Sequence, residues 1–171
     1  MILDSAALLA VATIYQFVAA PLFAVSIPGV GTAAPDFLLV AVVFVAVNGH
    51  SWSGFAVAVL AGTLADVASI EPPLTHTIAY IAAAGMGNAW RRRGLGGTAP
   101  ANLLLVASAS ASARLAAGAW LWLADPQRAP LAAGSELLSL AYDAIVGLAV
   151  LSGVTPRLSR GRKEATWSAR A

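Results

Sequence analysis

Residues Pro35–Leu74 read PDFLLVAVVFVAVNGHSWSGFAVAVLAGTLADVASIEPPL. The stretch predicts two apolar helices joined by the tight polar turn Asn48-Gly49-His50-Ser51. Asp36 opens the first helix and Asp66 sits inside the second, where an ordinary membrane hairpin carries apolar residues. A charge in lipid is costly, so a carboxylate within such a stretch points to function or assembly. The plainer alternatives are a helix cap for Asp36 and a polar contact with a neighbouring helix for Asp66.

The surrounding chain sets the class. Of 171 residues, 59% are hydrophobic and 11% charged, against roughly 25% charged in a soluble domain. The apolar residues recur in blocks, so the expectation is a polytopic all-α membrane protein, not one anchor on a soluble domain. With no cysteine, disulfide frameworks, thiolate nucleophiles and Cys-ligated metals are excluded. The net charge of +2 comes with basic residues in groups, which argues for membrane topology and against nucleic-acid binding. The first residues, MILDSAALL, lack a basic n-region and read as a retained helix.

A membrane-crossing helix needs about 20 mostly apolar residues. Six candidates emerge: Ala6–Ile27, kinked at Pro21 with Tyr15 and Gln16 near its middle; Asp36–Asn48; Ser51–Ile70; Leu74–Trp90; Ala101–Leu123; and Leu131–Val154. The second is short and is expected to borrow residues 33–35 or to thin the bilayer. The basic tail Thr155–Ala171 follows.

Lys and Arg accumulate on the cytoplasmic side. Arg91–Arg93 follow the fourth candidate, and Arg157, Arg160, Arg162, Lys163 and Arg170 follow the sixth. Six crossings put both groups on one face, leaving Arg128 alone in a loop opposite. The expectation is a six-helix domain over 1–154, a cytoplasmic tail over 155–171 and both termini cytoplasmic in the inner membrane. Trp52, Trp90, Trp120 and Trp122 fall near helix ends, where indoles favour the interface. Small residues, including the Ala/Ser run 107–112, suit close helix packing.

Asp66, Arg114, Glu136 and Asp143 are the ionisable residues within the candidate spans. Gly62, Thr63, Asp66 and Ser69 recur at three- and four-residue steps, as do Glu136, Ser139, Asp143 and Gly147. Ser110 and Arg114 are one turn apart. Three inward-facing polar stripes follow. Matched depth on adjacent helices pairs Arg114 with Asp143 first and with Asp66 second. His50 and His76 fall on opposite sides, and no nucleophile, metal or phosphate-binding motif appears. No enzyme activity and no cofactor are expected.

The order Pro35-Asp36-Phe37-Leu38-Leu39, Gly54, Ala61-Gly62-Thr63-Leu64-Ala65-Asp66 and Pro73-Leu74 resembles the bacterial rod shape-determining MreD family. That family's pattern has a "P-D-hydrophobic-L" start to its second helix, "G-L-x-x-D" in its third and then a "P-L-G" turn. Thr63 and Thr75 depart from it, standing where leucine and glycine are usual. The likeness covers about 40 residues, with length, helix count and basic tail agreeing elsewhere. It carries an expectation of importance to Pro35, Asp36, Gly62, Asp66, Pro73 and Leu74. It implies a non-enzymatic inner-membrane subunit of the cell-elongation machinery that binds the scaffold MreC. Such a subunit would act near the SEDS glycosyltransferase, the class B penicillin-binding protein and the actin-like filament. Two rivals stand beside it: a substrate-binding subunit of an energy-coupling-factor vitamin transporter, and a proton-coupled carrier or intramembrane enzyme using Asp66, Arg114 and Asp143.

Overall fold

The structure, a computed structural model, describes residues 2–28, 31–94, 98–126 and 137–152. Glu136, Arg128 and the tail from 155 onward lie outside the described residues. Helix α1 (Ile2–Ile14) continues through a π-helical stretch, Tyr15–Ala19, into a 3₁₀ turn, Ala20–Phe23. Strands β1 (Val25–Ile27) and β2 (Gly31–Ala33) form an antiparallel hairpin, Ser26 opposite Thr32. Helices α2 (Phe37–Asn48), α3 (Ser51–Ala68), α4 (Thr75–Arg92), α5 (Ala99–Ala124) and α6 (Leu137–Ser152) follow. The described chain is thus all-α apart from one short hairpin.

Two boundaries differ from the sequence expectation. The first helix ends at Phe23, not Ile27. Proline has no N–H to donate, and around Pro21 the last turn tightens to 3₁₀ before Val25 and Ile27, both β-branched, enter β1. The second helix does not borrow residues 33–35. Ala33 is paired in β2, and Pro35 biases its predecessor away from helical geometry.

α2 is the centre of the bundle. Every residue from Leu38 to Ala46 is buried, as a helix that is apolar all round must be. It packs against α1, α3, α4 and α5. α3 and α4 approach closely at Gly62. A Cβ built on Gly62 would lie 2.3 Å from the Thr77 Cα and 2.8 Å from its nitrogen, whereas one on Gly85 meets nothing within 4 Å. Gly62→Ala is therefore expected to destabilise by about 1–3 kcal/mol, the usual overpacking cost. Gly85→Ala should be neutral or stabilise by up to about 1 kcal/mol. Thermal unfolding of the two purified variants checks the contrast.

The apolar core holds a few buried polar groups, and large apolar side chains also stand on the surface. Ile70 is 94% exposed, Val67 83% and Leu115 75%, while Asp143 and Ser110 are wholly buried. Thr75, Thr77, Asn88 and Asn102 are buried too. Two helical stretches, Ala6–Phe23 and Ala99–Ala124, are long and apolar enough to cross a membrane; α2, the body of α3 and α6 are apolar but shorter.

Candidate functional site: a polar hub at the start of α2

The first N–H groups of a helix have no partner within it. Those of α2 are met by side chains from three directions. Asp36 is the N-cap, its Oδ1 accepting from the Leu39 N–H at 2.9 Å. The Asp36 N–H donates to Asp143 Oδ1 of α6 at 2.8 Å, and the Phe37 N–H donates to Gln16 Oε1 at 2.8 Å. Gln16 belongs to the π-helical stretch of the first helix, and such widened turns recur at functional sites.

Asp143 ties this cap to α5. Its Oδ2 accepts from Ser110 Oγ at 2.7 Å and from an Arg114 Nη at 2.8 Å. This ion pair is the first of the two pairings that matched depth predicts. Arg114 is ten residues from Ala124, the end of α5, about 15 Å of helix. Asp36 bonds directly to that same carboxylate, so α2 begins well inside the bundle, level with mid-helix residues. Its shortness has this cause. Residues 34–36, outside any helix or strand, carry the chain to that point. From α4, Tyr80 completes the hub: its hydroxyl donates to Asp36, 2.9 Å from both carboxylate oxygens.

Asp66 serves a second helix start. Its Oδ1 accepts from the His76 N–H at 2.7 Å, and its Oδ2 from the Thr77 N–H at 3.2 Å and the Thr77 hydroxyl at 2.8 Å. The His76 Nδ1 lies 3.1 Å from Oδ1. α4 has no capping side chain of its own: its N-cap is Leu74, held in left-handed geometry at φ 72°. Asp66 caps α4 from α3, and Gly62, one turn earlier, lets the two helices meet closely enough for it to do so. Pro73 anchors the same corner, its carbonyl accepting from the Trp120 indole N–H of α5 at 2.9 Å. Pro35, fully buried, precedes the α2 cap.

The plainer sequence readings of both aspartates thus describe their geometry. Asp36 is a cap, and Asp66 is a contact with a neighbouring helix. Asp66 is engaged by α4, so the second-choice pairing with Arg114 gives way to backbone capping.

The inward stripes need one correction. Thr63 is exposed and donates to Val59 O of its own helix. Gly62 and Thr63 are adjacent, about 100° apart around the helix at 3.6 residues per turn, and only Gly62 faces inward. In the serine run, Ser108 and Ser112 bond carbonyls of their own helix, and only Ser110 reaches across to another. On α6, Ser139, Asp143 and Gly147 are all at least partly buried.

Sequence reasoning missed Tyr80 and the roles of Gln16 and His76. A glutamine in the middle of an apolar helix was the available signal for Gln16, because such an amide needs partners. Tyr80 gives no such signal, since a tyrosine in an apolar helix also reads as an interface residue.

Comparison with protein-family models, with curated proteins and with solved structures found none that matches this chain.

Proposed function

We propose that this chain is a multi-pass membrane subunit of the bacterial rod-shape machinery, acting by position and not by catalysis. In this reading all six helices lie in the inner membrane with both ends cytoplasmic. The Asp36 end of the bundle then faces the periplasm, where it docks a single-span MreC-like scaffold and biases lateral peptidoglycan synthesis.

One observation carries the proposal. The residues singled out by the likeness to MreD, all within Pro35–Leu74, gather at two neighbouring helix starts. Pro35 and Asp36 form the start of α2; Gly62, Asp66, Pro73 and Leu74 form the start of α4. An apolar exterior around buried charge agrees with a bilayer as solvent.

The test is affinity capture of an MreC-like protein from the same genome, co-expressed with this chain and extracted in mild detergent. Capture is expected, and Asp66→Ala should weaken it by removing the brace under the docking face. Failure of the wild type to capture the scaffold would contradict the proposal. A vitamin co-purifying in its place would assign the chain to a transporter's substrate-binding subunit.

A further inference from the structure

Two cavities, of about 290 Å³ and about 190 Å³, share Asp36, His76, Tyr80 and Arg114 as lining residues. The larger also reaches Gln16, Pro35 and Ser139, and the smaller reaches Glu71. This open volume contrasts with the packing below it, where Cβ atoms on Gly54 and Gly87 would both come within 2.9 Å of Ala46. A membrane bundle that needs its polar groups only to join helices has no reason to leave space around them, since unfilled volume weakens packing. At about 290 Å³ the larger cavity lies at the small end of ligand pockets, roughly 300–1,000 Å³.

The lining is also fixed in place. Asp36 is held by the Leu39 N–H and the Tyr80 hydroxyl, and Arg114 by Asp143. A guanidinium carries five N–H donors in a rigid fork that suits carboxylates, and the Arg114 side chain is 25% exposed. His76 is 28% exposed and Glu71 45%. Positive and negative groups therefore line the same cavity, Arg114 and His76 facing it together with Asp36. It lies where α2 starts inside the bundle, an arrangement that elsewhere in membranes serves the binding of charged ligands.

We propose that the larger cavity binds a small zwitterion of amino-acid size, its carboxylate on Arg114 and His76 and its ammonium on Asp36. The inference stands on the cavity and does not depend on the scaffold reading.

The test is thermal unfolding of the purified full chain in nanodiscs with glycine, alanine, glutamate or lysine, and with acetate and methylammonium as single-charge controls. At about a hundred times Kd, at least one amino acid is expected to raise Tm saturably by roughly 5 °C or more. Acetate and methylammonium should not. Ser139→Leu fills the larger cavity without removing a hub bond and should abolish the shift; Ala68→Leu, which also lines it, serves as the second variant if Ser139→Leu fails to fold. No shift with any of the four amino acids, an equal shift with acetate or methylammonium, or an undiminished shift in the folded cavity-filling variant would overturn the proposal.

Discussion

Asp143→Ala should cost about 3–5 kcal/mol of stability, the range for removing one partner of a buried ion pair. The Asp143 carboxylate accepts from the Asp36 N–H, the Ser110 hydroxyl and Arg114, and its side chain is wholly buried. Alanine leaves the guanidinium without its carboxylate and the α2 start without one of its acceptors. The α2 amide is the costlier loss, because a buried polar group without an acceptor is dear. Asp143→Asn keeps an oxygen for the Asp36 amide while losing the charge, so it should recover part of the loss. Detergent-solubilised yield and thermal unfolding read the order wild type, then Asn, then Ala. Equal stability of Asp143→Ala and wild type would remove the hub from the account.

The second large effect is expected at Asp66. Alanine there removes the acceptor for two backbone N–H groups at the start of α4 and for the Thr77 hydroxyl. Thr77 is buried, so water does not readily replace the carboxylate. A loss of about 2–3 kcal/mol follows from a missing cap together with an unmet buried donor. The loss should be local. Hydrogen exchange at His76 and Thr77 should rise sharply, while the mid-helix amides of α2 keep their protection. Asp66→Asn keeps one oxygen and should recover a share. Thr63→Ala, three residues away on the exposed face, should change stability by less than about 0.5 kcal/mol. If the two alanine variants behave alike, the α4 cap is not the source of the effect.

How much of this could be read in the sequence depended on periodicity. Six apolar blocks gave six helices because each block is long enough to carry its own signal. The pairing of Arg114 with Asp143 was legible because both stand alone at similar depth in consecutive helices, and arginine cannot shed its proton. The β1–β2 hairpin was not legible. Strands of three residues carry too little alternation to separate them from the end of a helix.

The depth at which α2 begins was hidden for a different reason. Asp36 reads equally well as a surface cap or an internal one, and only the tertiary bonds to Asp143 and Tyr80 distinguish them. Asp66 was visible as an anomaly, but its partners are backbone amides at His76 and Thr77. Every residue type carries such amides, so no sequence pattern announces them. Thr63 misled through spacing: it falls three residues before Asp66, yet its neighbour Gly62 occupies the inward direction.

The ion pair between Arg114 and Asp143 joins α5 and α6 beneath the start of α2. A double-mutant cycle with Arg114→Leu, Asp143→Leu and the double variant, each unfolded in the same detergent, tests it most directly. Arg114→Leu leaves the buried Asp143 carboxylate without its guanidinium, and Asp143→Leu removes the carboxylate that holds Arg114, while the double variant removes both charges together. The double variant is therefore expected to be far less destabilised than the two singles summed, with a coupling of at least about 1.5 kcal/mol. Additivity within about 0.5 kcal/mol would mean that the two side chains do not act as a pair, and would contradict the hub as the device that holds this bundle together.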